Sequence, residues 1–514
     1  MNSQQQTKQR HIEAPYLNLD YSYQRLSDEE LQAYAKKKLP KNYEELKQQL
    51  IKGEYQNKTE SRTVSHVLCR SRHNVVRAAN GKNRFNEIVR TLRSGNWKGA
   101  TGKAIKDVVN IGVGGSDLGP MMGSFALKEF ADDSSLHTLN THFVSSMDGG
   151  QLYAVLPIVD PETTLFIIAS KSFTTSDTLA NVDTVKAWVQ DSTNITEQDW
   201  IKHHVIGVSS NLEKMNEFGI PAKNQLSFAD SVGGRFSLWS AIGLPIALTV
   251  GTHQFAKMLE GAKAMDDHFA QSNDPTTNIP LNLALTGIHA REEEGINNVA
   301  VLPYDGRLRY LPSYLQQLDM ESNGKQADHA NQAINTPTGP IIWGGFGPNG
   351  QHAFFQHLHQ GHDKFTADFI AVLHREAPGF QKQTQRQLRE QQRLAVANCL
   401  AHRQLMWQGS QPESDSPRDV YPGNHTSNLL YVDELTPQSF GALIAAYEHK
   451  VFIQGIIWGI NSFDQPGVEK GKKVAVDILK TIDAQADAKA NRTYDKAQAE
   501  KQFDASTDAI IKRM

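Results

Sequence analysis

The chain has 514 residues, of which 39% are hydrophobic and 21% are charged, a composition typical of globular proteins that bury large cores. The formal net charge is −3, so the chain lacks the excess of Lys and Arg with which proteins bind nucleic acids or acidic membrane surfaces. We therefore expect no nucleic-acid partner and no membrane partner. For a chain of this length, roughly two to four domains are expected.

The first residues and the cysteine content predict a cytoplasmic location. The opening MNSQQQTKQRHIEAP contains no apolar run of the kind found in secretion signals. The two cysteines, Cys69 and Cys399, are too few for a disulfide framework or a zinc cluster, which suits a reducing compartment. The apolar stretch 238–251 is too short to span a bilayer and is predicted to be a buried helix.

Residues up to about 100 are polar and are predicted to be helical; the segment SDEELQAYAKKKL opens with a serine cap followed by acidic residues. After this region, short continuous apolar runs alternate with segments of helical period. Such runs are typical of parallel strands that are covered by helices on both faces. The runs form two series, 108–113, 141–146, 163–170 and 203–210, and then 297–305, 340–345, 365–374 and 427–435.

Two series of this kind predict an α/β fold with two doubly wound αβα sandwich domains. We expect a helical N-terminal region that packs on the larger domain (1–100), a first α/β domain (101–250), a second α/β domain (251–475) and a C-terminal tail (476–514). Two polar segments are predicted to be exposed. Segment 409–424 is predicted to be a surface loop, and 483–503 an exposed tail or a solvated helix.

The stretch DVVNIGVGGSDLGP (107–120) places a glycine-rich turn directly after the first predicted strand. It is not a dinucleotide-binding turn, because the sixth position from Gly112 is Asp117 rather than glycine. It is not a nucleotide P-loop, because Pro120 follows the last glycine where that motif has lysine. Two interpretations remain open. Either the turn holds another phosphate close to the backbone, with Ser116 capping the next helix, or it is a tight turn required by packing alone.

A second candidate phosphate site, ASKSFTTSDT, follows the predicted strand 163–170. Within seven positions it contains five hydroxyl residues and one lysine: Ser170, Lys171, Ser172, Thr174, Thr175 and Ser176. Hydroxyl and N–H groups at the start of a helix can bind a phosphate at the positive end of the helix dipole. The alternative is an ordinary Ser/Thr-rich helix cap. Two such turns on neighbouring strands favour ligand binding.

Several charged residues are candidates for chemistry, each with an ordinary alternative. Arg235, held by paired glycines in SVGGRFSLWSAIGL, is either a salt-bridged surface residue or a charge presented to an anion. Glu321, beside the turn SNG, is by default expected to be solvated. A predicted helix that begins near residue 440 is apolar nearly all round and is therefore expected to be buried. The turn DQPG follows this helix, and Lys472 comes shortly after the turn.

The segment QHAFFQHLHQG (351–361) is predicted to be one helix that ends at Gly361. His352 and His359 are one heptad apart on this helix and would share a face, whereas His357 would not. None of these spacings matches the i, i+4 histidine pair of helical zinc sites, so no metal is predicted.

Six stretches, in their order and spacing, resemble the glucose-6-phosphate isomerase (phosphoglucose isomerase) family. They are VNIGVGGSDLGP, LFIIASKSFTT, VGGRFSLWSAIGL, DMESNGK, GQHAFFQHLHQG and YEHKVFIQGIIWGINSFDQPGVEKGK, and FDAST near the end also fits. The resemblance covers roughly residues 55–475. It implies two sugar-isomerase-type αβα domains. It also implies an aldose–ketose isomerisation of glycolysis and gluconeogenesis, in which glucose 6-phosphate and fructose 6-phosphate interconvert by ring opening and a cis-enediol.

The resemblance also implies a role for each matching residue. Glu321 is implied as the catalytic base, Arg235 as the cation beside the enediolate, and His359 and Lys472 as the groups that open the sugar ring. The residues implied to bind the sugar phosphate are Gly115, Ser116, Ser170, Lys171, Ser172, Thr175, Gln317 and Gln465. In the family the histidine comes from the partner subunit, which implies a homodimer with shared active sites. No metal and no cofactor are implied.

These residue types suit that reaction. One carboxylate can carry a proton between two adjacent carbons, and an arginine keeps its charge while facing the developing enediolate. A histidine that titrates near neutrality suits ring opening. A non-catalytic sugar-phosphate sensor would need the phosphate site but not Glu321, Arg235, His359 and Lys472 together, so an enzyme is favoured. Whether it also accepts mannose 6-phosphate stays open.

Overall fold

Two large β-sheets with helices packed against them, and one small two-stranded sheet, occur in the described residues of the larger of two units of the chain. The computed structural model describes residues 8–71, 84–131, 139–377, 379–410, 416–490 and 492–514. The two units are Met1–Phe463 and Asp464–Met514. The domain boundaries expected near residues 100, 250 and 475 remain predictions.

Thirteen strands and nineteen α-helices alternate along the described residues. The strands are β1 (His11–Ala14), β2 (Leu17–Tyr23), β3 (Gln56–Asn57), β4 (Arg62–Thr63), β5 (Asp107–Gly112), β6 (Asn140–Val144), β7 (Thr164–Ala169), β8 (Val205–Ser209), β9 (Gln225–Ser227), β10 (Asn298–Pro303), β11 (Ile341–Gly344), β12 (Thr366–His374) and β13 (Ser427–Glu434). The α-helices are α1 (Asp28–Lys38), α2 (Tyr43–Ile51), α3 (Arg84–Arg93), α4 (Leu118–Leu127), α5 (Gly150–Val155), α6 (Ser176–Ser192), α7 (Glu197–His204), α8 (Leu212–Glu217), α9 (Leu244–Val250), α10 (Thr252–Gln271), α11 (Ile279–Glu292), α12 (Leu311–Leu315), α13 (Gly347–Gln351), α14 (Phe355–Gln360), α15 (Lys382–Gln408), α16 (Pro437–Trp458), α17 (Glu469–Lys489), α18 (Lys496–Ala499) and α19 (Ala505–Ile511).

The first sheet has the strand order β6-β5-β7-β8-β9, and its pairings are parallel. The central strand β7 is buried along its whole length, which is why its sequence TLFIIA does not alternate. All four runs of the first predicted series are strands of this sheet. Because β5 and β7 are parallel neighbours, with Gly112 paired to Ala169, the segments that follow them start at the same edge of the sheet.

The second sheet has the strand order β1-β2-β13-β12-β10-β11. Strands β10 to β13 are the four runs of the second predicted series and pair in parallel, whereas β2 pairs antiparallel with β13. For residues 11–23 the helical prediction was wrong, because the sequence LNLDYSY of β2 largely alternates buried and partly exposed side chains. The helix cap at Ser27 is confirmed, since its side chain accepts a hydrogen bond from the Glu30 amide.

Two apolar segments lie in the core of the larger unit. The stretch 238–251 is not one helix as predicted; 3₁₀ turns run to Gly243 before α9 begins. Pro245 lacks an N–H group and fits only in the first turn of a helix, which places the start of α9. Helix α16 is buried nearly all round, as predicted, and its Lys450 forms a buried ion pair with Asp319 at 3.0 Å.

The second unit consists of helices α17 to α19. Within it, Lys501 pairs with Asp477 at 3.0 Å, and the Gln485 side chain donates to the Ala499 carbonyl at 3.0 Å. Parts of the two segments predicted to be exposed, residues 411–415 and 491, lie outside the described residues. Of the helices in the described ranges, none is both long and apolar enough to cross a membrane.

Candidate active site

The glycine turn (residues 112–120) begins where β5 ends and touches the segment that holds Arg235. Gly114 has a φ of +59°, a left-handed conformation that favours glycine. A Cβ atom on Gly115 would lie 2.0 Å from the carbonyl oxygen of Gly234, so only glycine allows this approach. The Asn110 side chain donates to the Ser116 carbonyl at 3.0 Å and fixes the far side of the turn. The turn is therefore tightly packed and also lies directly against the candidate arginine.

The hydroxyl segment (residues 170–176) begins where the neighbouring strand β7 ends. Ser170 Oγ and Thr175 Oγ1 lie 2.9 Å apart, and the Phe173 amide donates to Ser170 Oγ at 3.1 Å. Thr175 precedes α6 without capping it through its side chain, so the ordinary helix-cap explanation does not account for its hydroxyl. The side chains of Ser172 and Thr174 are joined at 2.9 Å. The segment gathers hydroxyl groups at the positive end of a 17-residue helix.

Lys171 lies in the hydroxyl segment but is occupied by Asp230. Its Nζ donates to the Asp230 carbonyl at 2.7 Å and lies 3.1 Å from the Asp230 carboxylate. Burial lowers the pKa of Lys171, and the nearby Arg62 guanidinium lowers it further. An anionic ligand at this position would therefore compete with Asp230 for this cation.

Arg235 is buried and fixed by three groups of the larger unit. Its Nε donates to Ser322 Oγ at 2.6 Å and its Nη2 to the Ser462 carbonyl at 2.6 Å. Its Nη1 lies 3.5 Å from the Glu321 carboxylate, and the arginine side chain is only 3% exposed against 24% for the glutamate. Of the two alternatives considered for Arg235, a surface salt bridge is therefore excluded.

Glu321 ends a π-helical segment, Gln316–Glu321, that continues directly from α12. Such segments add a residue to the helical turn and are frequent at functional sites, because they redirect a side chain. The buried Lys450–Asp319 ion pair holds the segment from one side. Directly after the segment, the Asn323 side chain donates a hydrogen bond to the Val451 carbonyl at 3.1 Å. Glu321 is thus partly accessible on a rigid support rather than solvated on a turn.

Gln317 connects this segment to the glycine turn. A Cβ atom on Gly114 would lie 2.8 Å from Gln317 Nε2. The Oε1 atom of Gln317 is buried and accepts no hydrogen bond within the described ranges. An unused buried acceptor at this position is available to a ligand hydroxyl. The structure therefore brings Gly115, Arg235, Gln317 and Glu321 together.

His359 is a predicted catalytic residue that this cluster does not include. Its Nε2 lies 2.9 Å from His402 Nδ1, and its ring packs edge-on against Tyr421. Among the described residues, none of its hydrogen bonds or ring contacts involves Glu321. Burial lowers the pKa of His359 to about 4, with further lowering by His402 and His425.

The predicted single helix around His359 was wrong. Helix α13 ends at Gln351 and α14 begins at Phe355, so His352 lies between the two helices and does not share a helical face with His359. His357 is exposed and pairs with Asp363 at 3.1 Å. In the part of the chain that the structure describes, no group of three or more His, Cys, Asp or Glu side chains is arranged to hold a metal ion.

Two further predicted residues, Gln465 and Lys472, belong to the second unit. Lys472 is in the first turn of α17, where its Nζ pairs with Glu469 at 2.9 Å, and its side chain is exposed. The turn DQPG, which was expected to present Lys472, is thus followed directly by helix α17, and Lys472 belongs to that helix. The roles implied for both residues stay predictions.

The structure adds one carboxylate that the sequence analysis did not select. Asp117 in the glycine turn is buried, and burial raises its pKa to about 6, against the effect of a hydrogen bond from Ser145. Its Oδ1 has no hydrogen-bond partner among the described residues. The only signal in the sequence was its position directly after Ser116.

The contact between the two histidines gives a first testable prediction. Because a lowered pKa means that the folded state binds the proton less readily, His359 costs stability as the pH falls from about 6.5 towards 4. Replacing His402 with glutamine removes one positive neighbour, so the pKa of His359 should rise. NMR titration of the His359 ring measures it. His253→Gln, an exposed histidine on α10, serves as the control, and an unchanged pKa in His402→Gln would contradict the assignment.

Comparison with known proteins points to a single family. The profile described as phosphoglucose isomerase matches residues 20–511. A glucose-6-phosphate isomerase of Idiomarina loihiensis is 64% identical over 500 residues, which are 97% of this chain and 99% of that protein. One of Acinetobacter venetianus is 44% identical over 517 aligned positions, which cover 98% of this chain and 90% of that protein.

A solved structure supports the same family assignment. The crystal structure of a glucose-6-phosphate isomerase from Chlamydia trachomatis has a TM-score of 0.78 and 30% identity, and the match covers 94% of this chain and 92% of that one. The profile also extends beyond the stretch 55–475 that carries the motifs, so part of β2 and the C-terminal helices α17 to α19 fall within it. The predicted resemblance and α/β fold are confirmed. The chain belongs to the phosphoglucose isomerase family.

Proposed function

We propose that this chain interconverts glucose 6-phosphate and fructose 6-phosphate, the aldose–ketose isomerisation that serves glycolysis and gluconeogenesis. The observation that carries the proposal is the pair of a partly exposed carboxylate, Glu321, 3.5 Å from a buried guanidinium, Arg235. This pair adjoins the glycine turn, which starts at the same sheet edge as the hydroxyl segment. Membership of the family supports the same activity.

The central step is a proton transfer between adjacent carbons. In the open-chain aldose, Glu321 takes the proton from C2, the electron pair forms the C1–C2 double bond, and the C1 carbonyl bond opens onto its oxygen, which takes up a proton to give a cis-enediol. The same carboxylic acid then returns its proton to C1 while the C2 hydroxyl loses its proton and becomes the carbonyl of the ketose. One base suffices, because both carbons are within reach of a single carboxyl group. The partial exposure of Glu321 leaves it open to a substrate.

Arg235 stabilises the negative charge that develops on the enediolate oxygen. It cannot lose its proton to that oxygen, so its charge persists throughout the reaction. Its bonds to Ser322 and Ser462 hold it in place before substrate arrives, and no reorganisation is then needed in the transition state.

The phosphate anchors the far end of the sugar. Ser170, Ser172 and Thr175 supply hydroxyl donors, α6 supplies the positive end of its dipole, and Lys171 supplies a charge once it leaves Asp230. Gly115 and Ser116 contact the sugar phosphate from the glycine turn. Anchoring of this kind orients the reacting carbons and takes no part in the bond changes.

His359 and Lys472 open the sugar ring in this proposal. Gln317 and Gln465 bind the sugar hydroxyls. A neutral imidazole has one acceptor nitrogen and one donor N–H, so it can take the proton of the anomeric hydroxyl or give one to the ring oxygen. With a pKa of about 4, His359 is in this neutral form at physiological pH.

We further propose a homodimer in which His359 of one chain completes the site of the other. The isolation of His359 from Glu321 within one chain supports this arrangement. We propose a cytoplasmic location, which the two free cysteines support. No cofactor or metal is assigned to the reaction.

A sugar-phosphate sensor is the alternative, and one substitution separates it from the enzyme. Glu321→Gln should lower kcat by about 10²- to 10⁴-fold, the usual contribution of a general base, while sugar phosphate still binds. A coupled assay for fructose 6-phosphate measures turnover, and a thermal shift measures binding. Glu293→Gln, an exposed carboxylate on the surface, is the control. Turnover that survives in Glu321→Gln would show that the base is misassigned.

The phosphate site is tested by Ser170→Ala. Loss of the hydroxyl that joins Thr175 and the Phe173 amide should raise KM by about 10-fold, as expected for a hydrogen bond to a charged group, with kcat changed much less. Ser192→Ala, at the exposed end of α6, is the control. An unchanged KM in Ser170→Ala would count against the hydroxyl segment as the phosphate site.

The shared site is tested by mixing two inactive variants, Glu321→Gln and His359→Ala. A mixed dimer contains one site with both residues intact, so equal mixing with subunit exchange should restore about a quarter of wild-type activity. Neither variant alone should show this level of isomerase activity. If mixing restores nothing although mass spectrometry detects mixed dimers, His359 acts within its own chain.

A further inference from the structure

A cavity of about 570 Å³ lies at the edge of the first sheet opposite to the candidate active site. Residues that line it precede three parallel strands: Lys202 and Lys223 come directly before β8 and β9, and Lys98 lies nine residues before β5. The glycine turn and the hydroxyl segment follow the carboxyl ends of strands in the same sheet. This cavity, which we call the basic cleft, is therefore separate from the site for the isomerisation.

Positive charge is concentrated in the basic cleft. Four cations from four segments line it, and Glu87 is the one carboxylate among its lining residues: Arg84, Lys98, Lys202 and Lys223 against Glu87. The whole chain carries a net charge of −3, so this excess is local. Within the described residues, the three lysines form no ion pair, and all three are exposed. Their charges are thus available to an anion.

The floor of the basic cleft is rigid and partly apolar. The Trp97 indole N–H donates to the His203 carbonyl at 2.9 Å, which fixes the ring, and the buried Ile88 also lines the floor. Arg84 donates to the Gln225 carbonyl at 3.2 Å. Asn224 is fully buried, and its amide N–H₂ donates to the carbonyls of Lys202 and Val205.

One buried polar atom at the basic cleft is unused. The Oδ1 atom of Asn224 accepts no hydrogen bond in the part of the chain that the structure describes. Buried acceptors are normally satisfied, so this residue of the cleft lining keeps an unused hydrogen-bonding capacity. The volume of the cleft lies in the range of about 300–1,000 Å³ that is usual for small-molecule sites.

We propose that the basic cleft binds a small phosphorylated molecule with at least two negative charges. Three mobile ammonium groups and one fixed guanidinium suit phosphate oxygens, and the indole floor suits the carbon part of the ligand. Macromolecular polyanions fit less well, because the cations surround one cavity instead of forming an extended stripe.

The test uses tripolyphosphate as the probe and the full chain in isothermal titration calorimetry. Lys202→Gln/Lys223→Gln should weaken binding of the probe by at least 10-fold while KM for fructose 6-phosphate stays unchanged. The matched control, Lys37→Gln/Lys52→Gln, removes two exposed lysines elsewhere and should bind as the unmodified chain does. Ser170→Ala should also bind the probe as before.

Three outcomes would overturn the proposal. The probe fails to bind the unmodified chain, or it binds equally well after the two substitutions in the basic cleft, or Ser170→Ala abolishes its binding. The last result would assign the probe to the hydroxyl segment. None of these outcomes bears on the isomerase assay, so the proposed function stands or falls separately.

Discussion

The approach of the buried Arg235 to Glu321 is the interaction on which the site depends. A buried guanidinium is costly unless its N–H groups are satisfied, and Ser322, the Ser462 carbonyl and Glu321 together provide that satisfaction. These partners come from two segments, 321–322 and 462, that are both distant from Arg235 in sequence, so the position of the charge is fixed by the tertiary fold rather than by its own loop. The Glu321 carboxylate lies 3.5 Å from Arg235 Nη1, close enough for an electrostatic interaction, and its side chain remains partly exposed.

The fold was largely predictable because most of its strands are evident in the local sequence. Continuous apolar runs such as TLFIIA require two covered faces, and every run of this kind became a parallel strand. Strand β2 was missed although LNLDYSY largely alternates and its partner β1 is adjacent in sequence; only its pairing with β13, about four hundred residues away, has no local signal. The π-helical segment that ends at Glu321 was also beyond prediction, because the extra residue in its turn leaves no periodic signal in six residues.

For the candidate site, the resemblance named four residues that lie together in the structure, whereas their geometry could not be predicted from the sequence. Motif resemblance named Gly115, Arg235, Gln317 and Glu321, but the contact of Gly115 with Gly234 and that of Gly114 with Gln317 join segments more than a hundred residues apart. Local chemistry alone left Glu321 as a solvated glutamate and could not decide whether Arg235 is a surface cation or a charge presented to an anion. The support of Glu321 comes instead from the packing of the π-helical segment against α16 through Lys450 and Asp319.

The separation of His359 from Glu321 has a structural consequence. His359 is held by His402, by the edge of Tyr421 and by the ring of Phe355, all within the second half of the larger unit. Delivering this ring to Glu321 within one chain would require those contacts to break and α14 to leave α15. In the proposed homodimer, the ring would reach the site of a second copy with every one of these contacts intact. Because folded cores resist continuous deformation, the proposed assembly requires less rearrangement than delivery within one chain.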